Sequence, residues 1–122
     1  MPAPPTELAV GLGLRPDTDS ARILAALREA LGDHRIVCLA TIDRRAVEPG
    51  LRAAATALNV PLRAYPASDL ARVDVQSPSP RTATALGTPS VAEAAALLAG
   101  RGPLLFPKRT VGGIVIAATA AG

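Results

Sequence analysis

Four charged side chains fall close together in Ile42-Asp43-Arg44-Arg45-Ala46-Val47-Glu48-Pro49-Gly50: Asp43, Arg44, Arg45 and Glu48. Paired guanidiniums hold a carboxylate or phosphate in a planar fork, and a neighbouring carboxylate can act as a general base. The run before them gives the group a direction. Ile36-Val37-Cys38-Leu39-Ala40-Thr41 is continuously apolar or small and rich in β-branched residues, as a strand buried on both faces reads. Such a strand, expected over 35–42, carries the charged group to its carboxyl end, which in open α/β sheets faces the ligand crevice. The functional reading is an anion clamp. The plain alternative is a solvated turn with a local ion pair worth about 0–1 kcal/mol.

Three other groups could share that crevice. Gly11-Leu12-Gly13-Leu14-Arg15 ends a short apolar strand; its glycines permit a tight turn and a close approach of ligand to backbone. It is not a dinucleotide fingerprint: a third glycine is missing, and Asp43 follows about 30 residues on where about 20 is usual. A plain strand-to-helix turn would read the same way. Gly87-Thr88-Pro89-Ser90 opens a helix, with Thr88 as N-cap and Pro89 at the first helical position, and leaves free backbone N–H groups that could meet an anion. Ordinary capping would suffice to explain it. Lys108 and Arg109 lie in a link, 107–112, between two expected strands, where a basic tip usually serves solubility. His34 is expected in a loop facing solvent, and Cys38 inside the apolar run has no histidine neighbour to activate it.

The elements that must hold these groups alternate strand and helix. Strands are expected at 8–12, 35–42 and 62–65. A helix capped within Asp17–Ser20 presents Ile23, Leu24, Leu27, Ala30 and Leu31 and stops at Gly32. A second runs from Pro49 to Leu58 and ends at Asn59. Two β-α-β crossovers imply three parallel strands. Ser68 would cap one helical turn, and 73–86 reads as a long surface loop. The helix from Pro89 buries Val91, Ala94, Ala95 and Leu98, and its alanines suit a core or a partner subunit equally. Strands at 103–106 and 113–118 close the chain as an antiparallel hairpin. The expected architecture is a three-layer α/β/α domain over 7–122, behind a flexible 1–6, with a mixed sheet of about five strands.

Composition narrows the function classes. The chain has 122 residues, of which 49% are hydrophobic and 2% aromatic. One domain with an Ala, Leu, Val and Ile core is expected, and base stacking on aromatic platforms is nearly excluded. The net charge is +3 with a pI of about 10.0, spread without a basic run, which suits a small anion as well as nucleic acid. All basic residues but Lys108 are arginine, which anion binding or Arg-rich codon usage would each produce. No apolar stretch approaches the about 20 residues of a membrane span, and the N-terminus has neither a basic nor an apolar signal region. With a single cysteine, a cytoplasmic protein is expected. There is no metal-ligand spacing, phosphate-loop lysine or nucleophile elbow, so the residues alone specify no reaction.

Four blocks, Gly11 to Arg15, Ala40 to Gly50, Gly87 to Ala95 and Pro107 to Gly113, resemble in order and spacing the family of the cobalamin-biosynthesis protein CobE and the C-terminal domain of cobalt-precorrin-5A hydrolase, CbiG. Leu14 and Pro16 stand where that family often has a cysteine and a second basic residue, so neither a thiol nor a paired arginine carries over there. The hydrolase has further N-terminal regions absent here, so the chain is expected to be closer to CobE. The resemblance implies a role in building the corrin ring, with an anionic precorrin-type tetrapyrrole as ligand and other cobalamin-biosynthesis enzymes as possible partners. The candidate ligand-binding residues are Gly11, Gly13, Arg15, Thr41, Arg44, Arg45, Gly87, Thr88, Ser90, Lys108, Arg109, Gly112 and Gly113. The first expectation is a binding or handover module without cofactor or metal. The second is a hydrolase acting on a macrocycle lactone, with Asp43 or Glu48 as general base. A nucleotide-binding domain, suggested only by Gly11 and Gly13, is the third.

Overall fold

The computed structural model describes residues 7–32, 34–73 and 91–121. Its elements in chain order are β1 (Glu7–Gly13), α1 (Ser20–Leu31), β2 (Arg35–Ile42), α2 (Asp43–Ala46), α3 (Pro49–Leu58), β3 (Leu62–Tyr65), α4 (Ala67–Ala71), α5 (Val91–Ala99), β4 (Arg101–Val111) and β5 (Ile114–Ala120). The sheet runs β3-β2-β1-β5-β4. β1, β2 and β3 are parallel, as two consecutive crossovers require. β5 lies antiparallel to both β1 and β4, so β4 points the same way as the three parallel strands. This is the expected three-layer α/β/α arrangement with a mixed sheet and a C-terminal hairpin.

The two faces differ in side-chain size, and that difference sets how closely each helix layer sits. Leu8, Val10, Leu12, Leu39, Ile114 and Ile116 pack against the buried sides of α1 (Ile23, Ala26, Leu27, Leu31) and α3 (Leu51, Ala54, Ala55). The other face presents Ala40, Ile42 and Ala117 to the alanines of α5, with Leu70 of α4 and Leu104 alongside. Gly11 marks the closest approach: a Cβ built there would lie 1.9 Å from the Ala92 carbonyl oxygen. Thr119 Oγ1 donates to the Ala96 carbonyl at 2.9 Å across the same contact. α5 therefore faces the core with Ala94 and Ala95, as its pattern suggested, but Val91 is only half-buried and Leu98 does not join them. Ala92 to Ala96 are buried, Glu93 included, whereas Leu98 is exposed. A glycine and small residues beneath it let the helix sink until its alanines fill the interface.

Local signals explain the element ends. Asp19 caps α1 by accepting from the Arg22 amide at 2.7 Å, and Gly32 at φ 63° ends it. Pro49 opens α3 and Asn59, left-handed at φ 59°, closes it. Ser68 caps nothing; the short α4 starts one residue earlier, with Pro66 at its N-cap. The hairpin also departs from expectation. β4 does not stop at Phe106 but continues to Val111, so Lys108 and Arg109 belong to the strand and not to a loop. Only Gly112 and Gly113 form the turn, both at positive φ, as a tight two-residue hairpin needs. Pro107, which reads as a strand breaker, is tolerated because β4 is the outermost strand.

Candidate functional site

The carboxyl ends of β1 and β2 lie side by side, and a strap of hydrogen bonds keeps them there. Thr41, fully buried, donates from Oγ1 to the Leu12 carbonyl at 2.7 Å. Arg45 Nε donates to the Leu14 carbonyl at 3.1 Å. Farther out, Glu48 Oε1 accepts from the Asp17 amide at 2.7 Å. Gly50 completes the strap, since a Cβ there would lie 2.0 Å from the Thr18 carbonyl oxygen. The loop after β1 and the segment after β2, far apart in sequence, thus form one rigid wall.

Between them opens a cleft of about 120 Å³ lined by Gly13, Leu14, Thr41, Ile42, Arg44, Arg45 and Val91, the first described residue of α5. Arg45 is half-buried and committed to the Leu14 carbonyl, while Arg44 is exposed at the mouth. Arg15 leaves the same wall and is exposed. β4 extends the edge. Leu12 pairs with Ile116, which pairs with Arg109, and Gly13 pairs with Val115, which pairs with Thr110. Lys108 and Arg109 are therefore level with the end of β1, two strands away, or about 10 Å at about 4.8 Å per strand. The structure brings Gly13, Arg15, Thr41, Arg44, Arg45, Lys108, Arg109, Gly112 and Gly113 to one edge of the sheet.

Other expected site residues fall elsewhere. Gly11 is not open to a ligand, because the backbone of α5 occupies the space its missing side chain leaves. Asp43 and Glu48 do not line the cleft. Asp43 stands exposed on the helical turn α2 instead of at a strand tip, and Glu48 is held by the Asp17 amide. Gly87, Thr88 and Ser90, with the 73–86 stretch beyond Val73, lie outside the described residues. Glu93 was not singled out by sequence reasoning; its carboxylate, buried on α5, accepts from the Lys108 amide at 3.1 Å. The sequence signal was available, since Glu93 falls within a helix whose other described residues are all apolar.

A wider groove of about 600 Å³ lies at the opposite, amino edge, among Leu24, Arg28, His34, Ile36, Leu58 and Asn59. His34 is not the solvent-facing residue expected: it is half-buried, edge-on to Phe106 with ring centroids 5.2 Å apart. Size alone would favour this groove. It opens, however, at the C-terminal ends of α1 and α3, the negative ends of their dipoles, and ligands of open α/β sheets bind at the other edge. Among the described residues no group of His, Cys, Asp and Glu could hold a metal ion, and no helix is long and apolar enough to cross a membrane.

Comparison with known proteins agrees with this architecture. The family described as cobalamin synthesis G C-terminus matches residues 8–119. The crystal structure of CobE, a protein from the cobalamin (vitamin B12) biosynthetic pathway, is 37% identical with a TM-score of 0.78, over 97% of this chain and 96% of that one. The cobalamin biosynthesis protein chiG from Agrobacterium tumefaciens str. C58 is 32% identical with a TM-score of 0.72, over 93% of this chain and 98% of its own. A longer chain from Sulfolobus solfataricus, 23% identical with a TM-score of 0.69 and covered over 38% of its length, shares the fold. No curated protein matches. A family match over residues 8–119, with two solved relatives above 30% identity that each cover nearly the whole chain, means that the chain belongs to the cobalamin synthesis G C-terminus family.

Proposed function

We propose that this domain binds an anionic precorrin-type tetrapyrrole along the carboxyl edge of its sheet, as a binding or handover module in corrin-ring construction. What supports the reading is a run of cations along one edge: Arg44 in the lining of the cleft with Gly13 and Thr41, Arg15 exposed on the loop after β1, and Lys108 and Arg109 on β4, two strands from β1. A cleft of about 120 Å³ is too small for a macrocycle, since drug-sized ligands fill about 300–1,000 Å³. It fits one carboxylate arm, with Arg44 at its mouth, while the ring lies across the rim toward Lys108 and Arg109. The rim from β2 to β4 covers three strand spacings, about 14 Å. Val47, which ends α2 and is 68% exposed, offers the ring an apolar contact.

Binding is favoured over lactone hydrolysis because neither Asp43 nor Glu48 reaches the cleft and Glu48 is already engaged. The test is an absorbance titration with cobyrinic acid, a corrin bearing free carboxylates, and with cobinamide, in which they are amides. The expected result is saturable binding of cobyrinic acid at micromolar protein, weakened by salt because the rim charges are exposed, and much weaker binding of cobinamide. Equal binding of the two corrins, or none of either, refutes the reading.

A further inference from the structure

We infer that Glu93 is a positioning residue for the ligand rim: its buried carboxylate fixes a bulge in β4 and so aims Lys108 and Arg109. The inference rests on the ligand reading above. Along the hairpin, Phe106 faces Ala118 and Arg109 faces Ile116, three steps on β4 against two on β5. The extra residue falls at Pro107-Lys108. Pro107 has no N–H to give the ladder, and the Lys108 N–H leaves it to donate to Glu93 Oε2 at 3.1 Å. Bulges re-aim the side chains beside them, and in strands a slip of one residue turns every following side chain to the other face. The ladder is regular from Arg109 to Val111 and the bulge joins it to the first half of β4, where the register shifts twice more, so an acceptor that holds the bulge fixes the direction of Lys108 and seats the ladder that carries Arg109.

Packing alone does not account for this residue. Glu93 is fully buried in a helix otherwise built of Val, Ala and Leu, and burying a carboxylate costs more than burying an apolar chain of the same size. Its position supplies the reason: Val91, two residues before it, lines the cleft. One side chain thus ties the wall of the cleft to the basic strand at its rim.

The test compares Glu93→Met, which fills the same volume without an acceptor, with Glu93→Gln, which keeps one. Glu93→Met leaves the Lys108 N–H without its acceptor, so it is expected to fold with a lowered unfolding midpoint, and affinities are compared on the folded protein, with Glu93→Gln as the variant that keeps the acceptor. Cobyrinic acid affinity should fall about tenfold in Glu93→Met and stay within about threefold of native in Glu93→Gln. In a Lys108→Ala/Arg109→Ala background, Glu93→Met should cost nothing further. In native protein the Lys108 amide should exchange slowly with solvent, and in Glu93→Met fast. Native affinity in Glu93→Met, an equal loss in Glu93→Gln, or a full additional loss in the double-alanine background overturns the assignment. Failure of the native protein to bind cobyrinic acid overturns the ligand reading instead, and the Lys108 exchange rates then decide whether Glu93 holds the bulge.

Discussion

Gly11→Ala should be among the most destabilising single substitutions in this chain. The added Cβ would sit 1.9 Å from the Ala92 carbonyl oxygen and 2.6 Å from the Ala96 nitrogen. Both are backbone atoms of α5, so no side-chain rotation relieves the clash, and the helix must move as a body. Overpacking a filled core costs about 1–3 kcal/mol and occasionally more. A rigid backbone collision belongs at the upper end, about 3 kcal/mol out of the roughly 5–15 kcal/mol that holds a domain together. Denaturant unfolding measures it: the midpoint should drop with the slope unchanged. A native midpoint would mean that α5 does not lie against β1 as described. The protein that remains folded should also bind its ligand less well, because α5 carries both Val91 and Glu93.

Arg44→Ala should reverse that pattern, leaving stability intact and damaging binding. Arg44 is exposed at the mouth of the cleft and makes no hydrogen bond or ion pair among the described residues, so the fold loses little without it. A charged hydrogen bond to a ligand carboxylate contributes about 1.5–3 kcal/mol, which corresponds to a loss of roughly tenfold to a hundredfold in affinity. Its neighbour gives the contrast. Arg45→Ala removes the Nε donor to the Leu14 carbonyl and should lower the unfolding midpoint as well as affinity. Asp43→Asn, at a residue that does not line the cleft, should change neither. Parallel unfolding curves and cobyrinic acid titrations of the three variants separate these effects. Native affinity in Arg44→Ala would remove the anion clamp from the account.

The parts of this architecture that sequence reasoning reached are those fixed by local rules. The apolar run before Asp43 could only be an inner strand, Pro49 and Asn59 bounded α3, and the crossovers forced the parallel pairing. What escaped it depended on neighbours in space. Pro107 looks like a strand end unless β4 is known to be an edge, so Lys108 and Arg109 were placed in a loop. Gly11 looked like room for a ligand, yet the room belongs to a helix about eighty positions later in the chain. Asp43 and Arg45 were placed together at the carboxyl end of a strand, but a helical turn begins at Asp43 and turns Arg45 back onto Leu14. Glu93 was not singled out, because periodicity cannot see a backbone amide released by a bulge in another element.

The central claim is that the ligand sits on the carboxyl edge of the sheet, across strands β2 to β4. Amide chemical-shift mapping by NMR during a cobyrinic acid titration tests it most directly. The largest shifts should cluster at residues 13–15, 41–45, 91 and 108–113, with Arg28, His34 and Asn59 on the opposite edge unmoved. Shifts concentrated around that amino-edge groove, with Gly13, Arg44 and Arg109 silent, would contradict it.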